Sequence, residues 1–376
     1  MLKIFIINLM EILYIYIIKK ILFLFDPEKV HDSFIKFGRY IGEMQILRFF
    51  FGLLFCNDDN DIIRQEIKNI TFLSPIGLAA GFDKNADLIN IIPCLGFGHG
   101  EFGSVTRHAY EGNPYPRLKR FPEIKSIWVN YGLKNIGVDK IIKRFEKVKS
   151  KRFIYGVSIA KTNSPDTCDE NNAIEDYIYS YSLANENPNI QYITINISCP
   201  NAFGGEPFTT PERLEKLLSA LEKIEKKKLV FIKMPITITN SEFEKLLDVI
   251  NRYHIDGVII GNLQKDKSFL QNITSDETII SKGGLSGKPT FERSNELISL
   301  TYRKYRDKLI IIGCGGVFSA EDAYEKIKCG ASLIQMITGM IYNGPTTIAK
   351  IHHNLKKLIQ KDGYTSITEA IGTYHR

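Results

Sequence analysis

Two amides and a thiol lie close together in one short segment of the chain. Asn196, Cys199 and Asn201 fall within six residues of one another. Amide side chains both donate and accept hydrogen bonds, which suits a flat ring with N–H and C=O groups along its edge. A thiol, whose ordinary pKa is about 8.5, acts as a base only where its thiolate is stabilised. The segment predicts a polar ring bound beside a proton acceptor, although a free cysteine is more commonly a small buried hydrophobic residue.

A lysine interrupts one of the most apolar runs in the sequence. Lys233 follows Val230, Phe231 and Ile232 and precedes Met234. Burying an ammonium group is costly unless an anion pairs with it. Lys233 is therefore predicted to face an anion such as a phosphate or a reduced flavin. The alternative is a lysine whose ammonium reaches past the end of the strand into water.

Two glycine clusters could let the backbone approach a phosphate. One is the segment 283–287, which includes Ser286 and Gly287, and the other is the segment 313–316. The second cluster is no dinucleotide fingerprint, because Phe318 takes the place of the third glycine. Ser319 could cap the helix that follows, where backbone N–H groups attract anions. Each cluster alone is more often a turn, but together at one end of a fold they favour a bound phosphate.

Composition excludes several classes of protein. The 376 residues are 44% hydrophobic, which permits a large core and rules out a disordered or collagen-like chain. A net charge of +7 suits an anionic ligand or membrane surface and does not demand nucleic acid. The six cysteines contain no C-x-x-C pair and the seven histidines no metal-ligand spacing. No metal site is therefore expected, and the thiols are expected to be reduced.

From about residue 70, short apolar runs alternate with longer segments of helical periodicity such as 211–226 and 241–253. Eight such strand-then-helix units predict a closed parallel (β/α)8 TIM barrel, with a doubly wound open sheet as the alternative. The predicted strands are Ile76–Ala79, Glu101–Val105, Phe153–Ser158, Tyr192–Ile197, Leu229–Lys233, Gly257–Ile260, Leu309–Ile312 and Ser332–Met336.

In such a barrel, the residues that follow the strands converge at one rim and form the active site. Carboxylates are scarce among them, which argues against glycoside hydrolysis, a reaction that needs two opposed acids. The predicted rim residues are Gly81, Lys84, Ser104, Thr106, Ser158, Lys161, Asn196, Cys199, Asn201, Lys233, Asn262, Gly313, Gly315, Gly316 and Thr338.

The first 25 residues are almost wholly apolar. Three alternatives are a cleaved signal peptide, a membrane-spanning helix and a buried hairpin that only covers the barrel. The sequence has no cleavage site for a signal peptide, and Lys19 and Lys20 interrupt the apolar run that a spanning helix requires. A helical element lying in the membrane surface is favoured narrowly over the span. Asp26 and Pro27 predict the start of a second, amphipathic helix. We expect an N-terminal extension over residues 1–56 and a barrel domain over 57–376, with a hinge over 57–65.

From residue 70 onward the chain resembles the dihydroorotate dehydrogenase family. The order and number of matching motifs make this resemblance highly specific, and the segment 25–31 also resembles the N-terminal extension of the membrane-associated, quinone-using class. The motifs are 77–85 (GLAAGFDKN), 101–106 (EFGSVT), 112–117 (GNPYPR), 196–201 (NISCPN), 283–289 (GGLSGKP) and 312–317 (IGCGGV).

The resemblance implies an FMN-dependent oxidation of dihydroorotate to orotate, with a quinone reoxidising the flavin. Cys199 and Lys233 are the implied catalytic residues. Residues implied to bind the substrate are Lys84, Asn130, Asn196, Asn201 and Asn262. Residues implied to bind FMN are Ala79, Ala80, Gly81, Thr106, Ser158, Lys233, Ser286, Gly287, Gly315, Gly316 and Thr338.

Several residues depart from the pattern of the quinone-using class. Cys199 stands where that class usually has a serine base, and cysteine is typical of the soluble classes. Ser158 and Val129 replace asparagines, and Leu263 replaces a threonine. A soluble acceptor such as fumarate therefore stays an alternative. Two others are a flavin-dependent transfer RNA uridine reductase, which would need a helical RNA-binding domain after the barrel, and an inactive scaffold.

The resemblance also carries expectations about where the protein acts. We expect a monomer attached to the membrane peripherally or by a single N-terminal anchor, with its active site on the cytoplasmic side. A bacterial inner membrane is favoured over a mitochondrial one. The expected partners are dihydroorotate, orotate, a quinone and the membrane surface, and no nucleic acid.

Overall fold

Eight parallel strands form a closed barrel in the computed structural model, which describes residues 2–56 and 61–376. The strands pair in chain order, and the eighth pairs with the first, with Ile334 opposite Ile76. The predicted TIM barrel is therefore confirmed and the open sheet is wrong. The strands are β1 (Ile76–Leu78), β2 (His99–Val105), β3 (Ile154–Ile159), β4 (Tyr192–Asn196), β5 (Leu229–Met234), β6 (Gly257–Ile260), β7 (Ile310–Cys314) and β8 (Leu333–Met336).

Helices surround the barrel and begin where the sequence supplies caps. Thr239 accepts the N–H of Glu242, whose carboxylate accepts the N–H of Thr239, a reciprocal capping box. The helices are α1 (Leu2–Leu13), α2 (Lys19–Leu22), α3 (Pro27–Glu43), α4 (Gln45–Phe55), α5 (Val138–Phe145), α6 (Glu170–Glu186), α7 (Pro211–Leu221), α8 (Asn240–Ile250), α9 (Glu277–Ser281), α10 (Phe291–Tyr305), α11 (Ala320–Cys329), α12 (Thr338–Asn343), α13 (Thr347–Lys361) and α14 (Ile367–Ala370).

Two small sheets cover the ends of the barrel. At the first end, the hairpin of Gln65–Ile67 and Ile70–Phe72 buries Phe72 against the beginnings of the barrel strands. At the second end, Leu118–Phe121 pairs with Ser126–Val129, which pairs in turn with Gly284–Leu285. The second sheet therefore forms a wall beside the C-terminal ends of the barrel strands, where the site is expected.

The N-terminal segment lies along the barrel. Helix α1, a π-helical segment (Tyr14–Ile18) and α2 follow one another without a break. Ile7 is buried against Phe55 and Ala349, and Tyr14 donates its hydroxyl to the carbonyl oxygen of Ile341 at 2.6 Å. This segment is therefore held on α12 and α13 of the barrel domain along one side.

The second N-terminal helix begins as predicted. The Asp26 carboxylate accepts the N–H of Lys29 at 2.9 Å, and Pro27 occupies the first helical position of α3. The predicted domain boundary between residues 56 and 57 adjoins residues 57–60, which lie outside the described residues. The first four residues of the predicted hinge over 57–65 also lie outside them.

The outward faces of α1 to α4 expose many large apolar side chains. Of the 24 exposed large hydrophobic residues in the described chain, 19 lie between residues 2 and 53. Among the described helices, none combines the length and the apolar character required to cross a bilayer. An apolar surface of this size, on one side of the molecule, is typical of a contact with a protein or a membrane.

Candidate active site

Two adjoining pockets open at the C-terminal ends of the barrel strands. The larger encloses about 1010 Å³ and the smaller about 500 Å³. Lys233, Asn262 and Ser286 line both pockets, so the two form one continuous site.

Glycine backbone forms the floor of the smaller pocket. Gly287, Gly315 and Gly316 have φ values of +79°, +103° and +74°, which favour glycine. A Cβ atom at Gly315 would lie 2.4 Å from the Thr290 hydroxyl oxygen, so no larger residue fits there. The Ser286 and Thr338 hydroxyls lie 2.8 Å apart on another side. Backbone amides and hydroxyls of this kind suit a phosphate.

The charge of this pocket also fits an anion. Among the described residues that line it, Lys233 is the only charged one and no carboxylate is present. Lys233 is 5% exposed and lies beside Asn196 in the pairing of β4 with β5. The alternative prediction, an ammonium that reaches past the strand end into water, is therefore wrong.

Hydroxyls and a buried acid support this part of the rim. Asn196 donates to the Ser104 hydroxyl at 2.8 Å, and that hydroxyl lies 2.7 Å from the hydroxyl of Ser158. Deeper in the barrel, Glu101 accepts from Thr194 at 2.7 Å. Burial raises the pKa of Glu101, and the positive charge of Lys233 opposes that rise.

Lys84 is fixed at the opposite side of the larger pocket. Its ammonium lies 3.8 Å from the ring centroid of Tyr131. The neighbouring Asp83 holds the loop, since its carboxylate accepts the N–H groups of Asp87 at 2.9 Å and Leu88 at 2.6 Å. Burial lowers the pKa of Lys84 to about 8. The ammonium group is therefore charged below about pH 8 and loses its proton above that pH.

Three of the predicted amides, Asn196, Asn201 and Asn262, line the larger pocket together with these two lysines. Asn262 donates to the backbone carbonyl and to the hydroxyl of Ser198, the latter at 2.7 Å. Asn201 donates to the carbonyl of Val129 at 3.1 Å. Asn130 lines a neighbouring pocket instead, and its side-chain oxygen accepts a hydrogen bond from the amide of Asn113 at 3.1 Å. The amides thus form a polar wall with fixed orientations.

Cys199 faces the same cavity from the loop that follows β4. The side chain lines the larger pocket together with Asn196 and Lys233. Burial raises the pKa of the Cys199 thiol to about 11, although the positive charges of Lys161 and Lys233 oppose the shift. In this structure the sulfur is therefore a neutral thiol at physiological pH.

Some of the predicted rim residues lie behind the pocket surface. Thr106 donates to the carbonyl of His108 at 2.6 Å and accepts from Asn135 at 2.7 Å. Lys161 donates to the carbonyl of Phe203 at 2.6 Å, which holds the loop that contains Cys199 and Asn201. Ser158 contacts Ser104 rather than the cavity. Ala79, Ala80 and Gly81 line one or both pockets.

The sequence predicted helix α3 but not the side chains that it contributes to the cavity wall. His31 lines the larger pocket, and its Nε2 lies 2.8 Å from the carbonyl oxygen of Phe82. Glu28 is 3% exposed and pairs with Arg117 at 3.4 Å and with Lys134 at 3.3 Å. The start of the helix at Asp26 could be predicted from the sequence, but the residues that pair with His31 and Glu28 could not.

The same wall is largely apolar. Leu118, Ile127 and Ile341 line the larger pocket on this side. Val129 and Leu263, two positions that depart from the family pattern, also line it. The cavity therefore has a polar half near Lys233 and an apolar half near the N-terminal helices.

Comparison with known proteins agrees with this geometry. The family model for dihydroorotate dehydrogenase matches residues 62–359. This chain belongs to the dihydroorotate dehydrogenase family. A relative from Trichodesmium erythraeum, named dihydroorotate dehydrogenase (quinone), is 35% identical over 361 residues, which are 92% of this chain and 94% of the relative. One of the same name from Buchnera aphidicola is 37% identical over 359 residues, 91% of this chain and all of the relative.

Solved structures of the family superimpose on the chain. The dihydroorotate dehydrogenase of Eimeria tenella in complex with ferulenol has a TM-score of 0.82 at 28% identity, covering 93% of this chain and 96% of that chain. The ligand-free form from the same organism has a TM-score of 0.80 at the same identity, covering 93% of this chain and 100% of that chain.

The raised pKa of the Cys199 thiol predicts its reactivity. Only the thiolate is alkylated, so the rate of labelling at Cys199 should rise about tenfold per pH unit from pH 7 to pH 10 without a plateau. Labelling with iodoacetamide, followed by peptide mass spectrometry, measures this rate. The exposed Cys168 serves as a control for the reagent and for the fold. A plateau near pH 8.5 would contradict the assignment.

Proposed function

We propose that the protein oxidises dihydroorotate to orotate and passes the electrons to a quinone. The observation that carries the proposal is the meeting of Lys233, Asn196 and Cys199 with the glycine floor in one cavity. The relatives named dihydroorotate dehydrogenase (quinone), which match more than nine-tenths of the chain, support both halves of the reaction.

FMN is the cofactor that the smaller pocket fits. Backbone at Gly287, Gly315 and Gly316 would hold its phosphate, with the hydroxyls of Ser286 and Thr338 beside it. Ala79, Ala80 and Gly81 would lie against its ring system, while Thr106 and Ser158 would support that wall from behind. When bound, the flavin accepts a hydride from the substrate and later gives electrons to the quinone.

The chain's own side chains orient the substrate. The Lys84 ammonium pairs with the carboxylate of dihydroorotate, and Asn196, Asn201 and Asn262 hold the ring amides, with Asn130 behind them. Lys233 stabilises negative charge that develops near the floor of the pocket, because its ammonium is buried there with no carboxylate lining the same space. Holding the ring in one orientation supplies a large part of the rate.

Cys199 takes the proton from C5 of the substrate as hydride leaves C6. Because burial raises the pKa of this thiol to about 11, little thiolate is present at neutral pH. The deprotonated fraction, and with it the rate, increases as the pH rises toward that value. The positive charges of Lys161 and Lys233 favour the thiolate and assist the transfer.

The N-terminal helices provide access for a quinone. We assign membrane association and quinone access to residues 1–56 and the reaction to residues 57–376. The apolar outer faces of α1 to α4 would lie in the bilayer surface, and the apolar half of the cavity opens toward α3. We expect a monomer on the cytoplasmic side of a bacterial inner membrane.

The electron acceptor is tested directly on the purified, detergent-solubilised protein. We expect dihydroorotate-dependent reduction of a ubiquinone or menaquinone analogue and little reduction of fumarate. The absorbance of orotate measures dihydroorotate oxidation with either acceptor, and the absorbance of a quinone-coupled dye measures quinone reduction. Reduction of fumarate without any reduction of quinone would overturn the acceptor assignment and leave the oxidation of dihydroorotate intact.

Replacing the base tests the role of Cys199. Cys199→Ala should retain FMN but reduce it with dihydroorotate about 10² to 10⁴ times more slowly, because general base catalysis contributes about that much. Cys199→Ser should keep part of the activity. Stopped-flow loss of flavin absorbance measures the step, and in the wild type its rate should rise with pH from 6 to 8, the range in which Lys84 keeps its charge. An unchanged rate in the alanine variant would remove Cys199 from the mechanism.

Charges on the outer face of the N-terminal helices test the membrane contact. Phe5 and Leu24 are 64% and 84% exposed, so Phe5→Glu with Leu24→Glu should preserve the fold. Vesicle binding should weaken at least tenfold, because each side chain loses about 1.5–3 kcal/mol of apolar burial. Quinone reduction should fall more than reduction of the flavin by dihydroorotate. Tyr374→Glu, at a 51% exposed position near the opposite terminus, is the matched control. Unchanged vesicle flotation would contradict the proposal.

A further inference from the structure

An ion pair joins the two glycine-containing loops from outside the pocket. Lys288 directly follows Gly287, and Asp322 lies in the first turn of α11, six residues after Gly316. The Lys288 ammonium lies 2.8 Å from a carboxylate oxygen of Asp322. Neither residue lines either of the two pockets. The contact therefore connects two walls of the site without occupying it.

Asp322 also fixes the shape of the loop to which it belongs. Its second carboxylate oxygen accepts the N–H of Phe318 at 2.9 Å, and its own N–H donates to the hydroxyl of Ser319 at 3.2 Å. The carbonyl of Phe318 accepts from Asn343 at 2.9 Å, at the end of α12. Helix α12 begins at Thr338, which lines the smaller pocket, so three walls of that pocket are connected.

The lysine is held on its other side by an aromatic ring. The Lys288 ammonium lies 4.2 Å from the ring centroid of Phe291. A Cβ atom at Gly316 would lie 2.5 Å from the Cβ atom of Phe291, so the two backbones approach closely. Lys288, Phe291 and Asp322 thus form a brace around the outside of the glycine floor.

We propose that Lys288 and Asp322 are positioning residues for FMN: their ion pair sets the spacing of the Gly287 and Gly315–Gly316 loops and so determines how tightly the phosphate is held. The inference rests on the proposed cofactor. Glycine loops have the greatest conformational freedom of any backbone, and fixing them before binding removes a cost that the ligand would otherwise carry.

If Lys288 attracted the phosphate directly, the FMN affinity of Asp322→Asn would change in the opposite direction. If Lys288 acted as a free cation, removing the charge of Asp322 would release it toward the phosphate and tighten FMN binding. If the pair acts as a brace, the same change weakens binding. Asp322→Asn keeps an oxygen that can accept the N–H of Phe318, so it isolates the loss of the ion pair.

The experiment measures FMN dissociation constants by quenching of flavin fluorescence for Lys288→Met, Asp322→Asn and the double variant. We expect each single variant to bind FMN about tenfold more weakly and the double variant to bind no more weakly than either single one, because the residues act through one contact. Lys304→Met is the control, since Lys304 pairs with Asp248 at 2.9 Å and has the same 42% exposure as Lys288 but lies away from the pockets.

The outcomes separate this inference from the proposed function. Unchanged or tighter FMN binding by Asp322→Asn would overturn the brace and leave the cofactor assignment in place. Additive losses in the double variant would also overturn it. A wild-type protein that binds no FMN would end both. If Asp322→Asn fails to fold, as judged by circular dichroism, Asp322→Glu takes its place. A carboxylate one methylene further from the backbone changes the spacing of the loops and should weaken FMN binding. Unchanged FMN binding by Asp322→Glu would overturn the brace.

Discussion

Hydrogen bonds between the first and eighth strands, with Ile334 opposite Ile76, close the sheet on itself. Because all eight strands are parallel, closure brings their C-terminal ends to one rim. Lys84, Asn196 and Thr338 are spread over more than two-thirds of the chain, yet they line one cavity. Every proposed contact with substrate or cofactor depends on this pairing, since an open sheet would leave β1 and β8 at opposite edges.

Within the barrel, two charges of opposite sign lie at different depths. Lys233 lies at the rim, and Glu101 lies below it on β2, hydrogen bonded to Thr194 and Gln335. A buried ammonium and a buried carboxylate each cost free energy alone and offset one another when they are near. The positive charge of Lys233 opposes the rise in the pKa of Glu101 that burial causes. This arrangement maintains an anion site inside an apolar barrel.

The strands and the rim could be predicted from the sequence because they depend on local patterns. Eight apolar runs gave eight strands, with ends displaced by at most two residues. The start of α3 followed from Asp26 and Pro27. The ends of α7 and α8 were placed several residues too late, since the predicted helices ran to residues 226 and 253. After Leu221, lysines and glutamates continue the helical pattern with only Ile224 to bury, and after Ile250 the polar residues Asn251 and Arg252 follow.

Contacts between distant segments could not be predicted in this way. The wall formed by Leu118–Phe121, Ser126–Val129 and Gly284–Leu285 joins strands about 155 residues apart, and no periodicity in either segment indicates the partner. The same holds for Asn113, which bonds Asn130, and for Ser198, which bonds Asn262. Side-chain partners set the orientation of the predicted amides, so the residues of the site were accessible to sequence reasoning and their geometry was not.

The N-terminal extension contributes to the charge balance of the cavity as well as to its apolar wall. Glu28 on α3 is buried between Arg117 and Lys134, and its charge also opposes the burial that lowers the pKa of Lys84. Without α3, Lys84 would lose the nearby charges of Asp32 and Glu28 while the positive charge of Lys134 remained, and this would favour loss of the proton from Lys84. Helix α3 therefore helps to keep Lys84 charged. The N-terminal element for which we propose a membrane contact is in this way also part of the electrostatics of the proposed reaction site.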